Sequence, residues 1–161
     1  MERKALLFLI ASFIAWRLFL FLPLFAADQK LSYRTGYEYS AIANSAATAV
    51  SNILNKLQLA PWANFDGIHY LFIAGNGYTN NFGFCPFYPL TIKFVSVLLF
   101  AQNPFDLTYF ISAFFITNMA FFLSLIVFYK LLLLDYSRKQ IKQVILTLLF
   151  FPTSFFFGSL Y

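Results

Sequence analysis

Three long apolar runs, residues 5–27, 107–134 and 144–161, dominate the chain, and polar residues collect in the intervals around them. A helix needs about 20 mostly apolar residues to cross a bilayer, so each run predicts a membrane-spanning helix. Glu2-Arg3-Lys4 precedes the first run and Asp28-Gln29-Lys30 closes it. A cleaved signal peptide is the rival reading of that first run. Its length and the internal Arg17 favour a retained span.

Shorter patterns fill the interval 28–106. Ile42, Ala46, Ala49, Val50, Ile53, Leu54 and Leu57 recur at helical spacing with polar residues between them. That predicts an amphipathic helix over 41–58, lying along the interface or packed on the spans. Residues 87–101 are apolar but only about 15 in number, too few for a span, and Lys93 interrupts them. An interfacial or re-entrant helix fits that length. Short loops rich in Lys and Arg stay cytoplasmic, so Arg3-Lys4 and the loop 135–143, with Arg138, Lys139 and Lys142, belong on one side. Interval 28–106 then becomes one long extracytoplasmic loop. Ser112, Thr117, Asn118 and Ser124 on the second span are expected to form helix–helix hydrogen bonds.

Composition agrees. Hydrophobic residues make up 61% of the 161, aromatics 22% and charges 11%, against about 25% charged residues in soluble domains. The fold class predicted is all-α integral membrane, with three transmembrane helices and interfacial helices in the long loop. The basic residues, eleven against six acidic, form no patch on a polar domain, which argues against nucleic acid. One cysteine permits no internal disulfide.

The stretch 62–89 stands apart. It contains Asp66, the only histidine (His69), the only cysteine (Cys85) and four of the six glycines. Asp66 begins a predicted helix over 67–75 as its cap, with Gly75 or Gly77 to end it. Spacing of three and four places Asp66, His69 and Tyr70 along one side. The bland reading is a capped helix with an interfacial histidine. One His, one Asp and one Cys without ligand spacing make a poor metal site. Arg17, near the middle of the first span, is costly there, about 2.5–3.5 kcal/mol on insertion scales. It reads either as a cation for a lipid phosphate or as a structural pair.

Trp62, Asn64-Phe65-Asp66-Gly67-Ile68-His69-Tyr70-Leu71-Phe72-Ile73-Ala74, Gly77-Tyr78 and Phe84-Cys85-Pro86-Phe87-Tyr88-Pro89-Leu90 follow one another in order. This series resembles the first lumenal loop of the PIG-V family, the second mannosyltransferase of GPI-anchor assembly, and of its bacterial relatives. Phe151-Pro152-Thr153-Ser154-Phe155-Phe156 with Ser159-Leu160-Tyr161 is similar to a later membrane segment of that family. Phe65 stands where the family usually has Trp, and Cys85 where Phe is common. The resemblance covers 62–90 well, 144–161 fairly, and the remainder by hydrophobicity alone.

The resemblance implies a GT-C type glycosyltransferase in a bacterial plasma membrane, or the endoplasmic reticulum membrane of a eukaryote. The donor would be a polyprenyl-phosphate sugar, with Asp66 as catalytic base. His69 and Tyr70 would contact substrate, and Arg17, Arg34, Lys30 and Lys56 are the cations available for the phosphate. Enzymes of the family are several times longer, so the chain is expected to be an N-terminal piece completed by further spans or a second membrane subunit. Two other classes stay open: a small non-catalytic membrane protein that binds a lipid carrier or partner, and part of a transporter.

Overall fold

The computed structural model describes residues 2–30, 60–63, 66–79, 82–101 and 107–160. In chain order the elements are α1 (Arg3–Lys30), a 3-10 helix η1 (Ala60–Ala63), α2 (Asp66–Asn76), α3 (Phe87–Leu98), α4 (Leu107–Leu132), α5 (Arg138–Phe150) and a second 3-10 helix η2 (Pro152–Gly158). No strand occurs among the described residues. The predicted helix over 41–58, Arg34 and Lys56 lie outside them.

α1 and α4 are long and apolar enough to cross a membrane, and α5 with η2 makes a third if the bent pair is one span. Their outer faces carry side chains that water would not tolerate as a group. Leu18, Leu22, Phe115, Val127 and Leu131 are all exposed. An apolar exterior of this kind marks a surface built for lipid, so this is a membrane protein in its coarse architecture, helical throughout the regular elements of its described residues.

The third apolar run departs from expectation in two ways. Its helix begins at Arg138, not 144, because Ser137 and Gln140 form a capping box with Ser137 N–H donating to Gln140 Oε1 at 3.0 Å. This box satisfies amides left free in the first turn. Arg138, Lys139 and Lys142 therefore lie in the opening turns of α5, and the connection from α4 is the short turn 133–137. The run then bends by 80° between α5 and η2. Pro152 has no N–H and disfavours helical geometry in the residue before it. Phe151 is accordingly extended, with φ −69° and ψ 136°.

Two buried clusters hold the helices together. Leu9 and Trp16 of α1 pack with Leu125 and Tyr129 of α4 and with Ile141, Ile145 and Leu149 of α5. Ile141, Ile145 and Leu149 recur every fourth residue, which stacks them on one side of α5. The second cluster joins η1, α2, α3 and α4 through Trp62, Leu71, Ile92, Phe110 and Ala113, and takes Leu160 from beyond η2. α3 ends at Leu98, short of the predicted 101, and Phe100 has the left-handed φ of 61°.

Of the four polar residues expected to join helices, only Thr117 does so. Its hydroxyl pairs with the Tyr88 hydroxyl of α3 at 2.7 Å. Asn118 donates to Phe114 O and Ser124 to Phe121 O, both within α4. Ser112 is buried without a side-chain hydrogen-bond partner. Helical Ser and Asn satisfy themselves on the preceding turn when no neighbour presents a polar group.

Candidate functional site

The site is built where α2 leaves η1. Asp66 is the first residue of α2 itself, one position later than a capping residue would stand, and its side chain is exposed. A carboxylate in the first turn faces the free amides and the positive end of the helix dipole. Gly67 next to it is buried and abuts Leu160: a Cβ there would lie 2.8 Å from the Leu160 carbonyl oxygen. Only glycine lets the segment after η2 come this close.

One turn on, His69 stacks on Phe84 with ring centroids 4.9 Å apart. Tyr70 meets Phe84 edge-on at 5.2 Å and Tyr88 at 5.0 Å. The 82–86 loop is folded onto α2 by Tyr78, whose hydroxyl donates to Phe84 O at 2.8 Å. Burial pushes the Tyr70 phenol up, with the Asp66 carboxylate adding to it. Burial likewise pushes Tyr88 up to about 12. Both phenols keep their protons at neutral pH, and Tyr88 donates its own to Ala113 O at 3.3 Å.

Arg17 meets the 158–160 segment at Gly158. Its guanidinium lies over the Trp62 ring at 4.0 Å and near Phe114 at 4.6 Å. Nη1 donates to Gly158 O at 3.3 Å, while Nη2 is buried without an acceptor, as is Trp62 Nε1. Desolvated cation–π contacts are worth about 2 kcal/mol or more, which helps offset the cost of a charge at this depth. Trp62 also stacks on Phe155 at 4.6 Å, and its carbonyl accepts from Leu160 N–H at 2.9 Å. The aromatic cage and the carbonyl partner come from η1, α4 and η2, and spacing along α1 gives no sign of any of them.

No family model, curated protein or solved structure matches this chain.

The described site residues thus fall into two groups joined by one short stretch of backbone. Asp66, His69 and Tyr70 share the opening turns of α2. Arg17 reaches the same neighbourhood through Gly158, two residues before Leu160. That separation spans at most about 7 Å of extended chain. Lys30 ends α1 and is exposed. Cys85 is an exposed free thiol. Among the described residues, no three His, Cys, Asp or Glu side chains gather closely enough to hold a metal ion. Two hollows, of about 670 and 200 Å³, lie elsewhere, the larger along α5 and η2 and the smaller between α1 and α4. Asp66, His69 and Tyr70 line neither. Sequence reasoning missed Trp62, Gly67 and Gly158 as the contacts that assemble the site. The nearest signal was glycine amid bulky apolar residues at 67 and 158.

Proposed function

We propose that the chain carries the acceptor-activating region of a GT-C type glycosyltransferase that takes a sugar, mannose by resemblance, from a polyprenyl-phosphate carrier. The observation that supports this reading is a meeting in space. The two stretches that resemble the PIG-V family, whose contacting residues lie more than ninety positions apart in sequence, pack on each other beside Asp66 through Trp62–Phe155, Trp62–Leu160 and Gly67–Leu160.

In this mechanism Asp66 accepts the proton of an acceptor hydroxyl as that oxygen bonds to the sugar's anomeric carbon. The bond from that carbon to the phosphate oxygen breaks at the same time, and the polyprenyl phosphate leaves with the electron pair. A phosphate leaving group carries its charge without an added proton, so one carboxylate suffices where glycosidases use two. His69 and Tyr70 flank the acceptor, and the buried Arg17 cation acts on the phosphate through its field.

Asp66→Asn separates this chemistry from a merely helix-stabilising role, since Asn keeps the side chain's size and gives up only the charge, worth about 0.3–1 kcal/mol at an exposed helix start, but accepts no proton. Expressed in its native genetic context, the variant should insert normally. Sugar transfer from a polyprenyl-phosphate donor in isolated membranes should fall by about 10²–10⁴-fold, the usual worth of a positioned base. Undiminished transfer overturns the proposal.

A non-catalytic membrane protein that binds a lipid carrier is the second reading. It draws on the position of the two hollows, both on the membrane helices and away from Asp66.

A further inference from the structure

The larger hollow is a groove of about 670 Å³ between the C-terminal half of α4 and the bent pair α5–η2, within the ~300–1,000 Å³ range of small-molecule sites. We infer that it holds an acyl chain of an anionic phospholipid, with the phosphate headgroup seated at Lys139. The inference is independent of the glycosyltransferase reading, because none of its residues belongs to the Asp66 site.

Three features argue for this occupant. The first is length. The groove follows one face of α5 from Gln140 through Val144 and Leu148 to Phe151, about 16 Å at 1.5 Å per residue. That is half of a ~30 Å hydrocarbon core, the reach of a single leaflet. The second is polarity along the groove. Phe128, Val144, Leu148, Phe151 and Phe157 form its apolar wall, with the small hydroxyls of Thr147, Thr153 and Ser154 among them, whereas the larger polar side chains Tyr136, Gln140 and Gln143 gather at the end nearest the α4–α5 turn. Tyrosine is enriched where hydrocarbon gives way to headgroups.

The third feature is charge. That same end of the molecule gathers Arg3 and Lys4 at the start of α1, Lys130 in the last turn of α4, and Arg138, Lys139 and Lys142 in α5. Among the described residues, Glu2 and Asp135 oppose these six. Arg138 is held by Glu2 in a bidentate ion pair. Lys142 lies 5.4 Å from the Phe8 ring, on the α1 side of α5. Of the three α5 cations this leaves Lys139, exposed and four residues before Gln143, hence its neighbour on the helix surface. It has no ion pair among the described residues. A phosphodiester at this mouth meets a lysine ammonium, the Gln143 amide and the field of the other cations. Clusters of this kind attract anionic lipid by about 1 kcal/mol per basic residue near the surface.

The test uses the full chain in nanodiscs of phosphatidylcholine with and without phosphatidylglycerol, read by native mass spectrometry for lipid retained after delipidation. The wild type should keep one phosphatidylglycerol in preference to phosphatidylcholine. Lys139→Gln should reduce that preference about fivefold, matching ~1 kcal/mol for one cation. Val144→Trp, which fills the groove, should abolish retention of either lipid. Thr147→Leu, a milder change in the same wall, guards against misfolding of the Trp variant: it should keep the lipid and the headgroup preference. Equal retention of the two lipids by the wild type overturns the proposal. So does a second copy of the chain, or a co-purifying membrane subunit, protecting Val144 and Leu148 from labelling in lipid-free detergent.

Discussion

Gly158 shows how much of this site depends on a missing side chain. A Cβ there would overlap the Arg17 guanidinium and come within 2.9 Å of Trp16 Cη2. Gly158→Ala must displace Arg17 from its carbonyl and press on a fully buried indole. Overpacking of this sort costs about 1–3 kcal/mol, visible as a lowered thermal midpoint in detergent. The penalty should shrink in an Arg17→Ala background, since residues in contact are energetically coupled. Gly67→Ala meets a harder obstacle, the backbone carbonyl of Leu160 at 2.8 Å. Its cost should persist whatever stands at position 17. If both alanines are silent, the 158–160 segment does not pack as described. Tyr88→Phe tests the polar link that Tyr88 makes between α3 and α4. It removes the bonds to Thr117 and Ala113 O at about 1 kcal/mol. Thr117→Val should cost a similar amount if the link is real.

Among the elements, the bend between α5 and η2 decides where the C-terminal segment goes. Pro152 starts the bend, and Ser154 secures it: its hydroxyl donates to Leu149 O and accepts from Trp16 Nε1 at 2.9 Å. Ser154→Ala would leave the buried Trp16 N–H unpaired, a penalty of about 1–3 kcal/mol. The loss should appear as a lower melting temperature and a shifted tryptophan emission, neither of which Thr153→Ala, at an exposed neighbour, should cause. The opening of α5 is a matter of local sequence. Ser137 and Gln140 form a box that the residues themselves announce, yet the basic residues beside them argued for a loop. Charge and capping are compatible here because a helix N-terminus lying in water tolerates Arg138 and Lys139 as exposed side chains. The bend was less legible. Phe-Pro in an apolar run signals a break, but not its 80° angle, which depends on Trp16 offering an indole N–H from another helix.

Over the whole molecule, the buried clusters divide the work. One packs α1, α4 and α5 at the basic end, while the other gathers η1, α2, α3 and Leu160 around the Asp66 helix. The first and third runs are also tied at their ends by Glu2 and Arg138, both exposed. The Arg138 guanidinium holds the Glu2 carboxyl below its usual range, chiefly through the hydrogen bond. A depressed carboxyl favours the folded state above its ordinary pKa and ceases to do so as pH falls through the lowered value. Glu2→Gln should therefore lower the melting temperature slightly at neutral pH, less so in high salt, with no difference from wild type in strong acid. A gap that widens on acidification would contradict the pairing.

What the sequence determined by itself was whatever depends on transfer to lipid or on neighbouring residues. Runs of apolar side chains dictate α1 and α4, a shorter apolar run gives the short helix α3, and Asp66-Gly67 with its flanking aromatics begins a helix in the polar stretch. Those effects are local and additive, so they can be read one residue after another. The tertiary structure alone decided which distant groups meet: Arg17 on Gly158 and Trp62, Leu160 against Gly67, Tyr88 with Thr117. Such contacts are chosen by close packing among helices, where a single absent Cβ or one buried N–H settles the outcome, and no spacing along the chain encodes them.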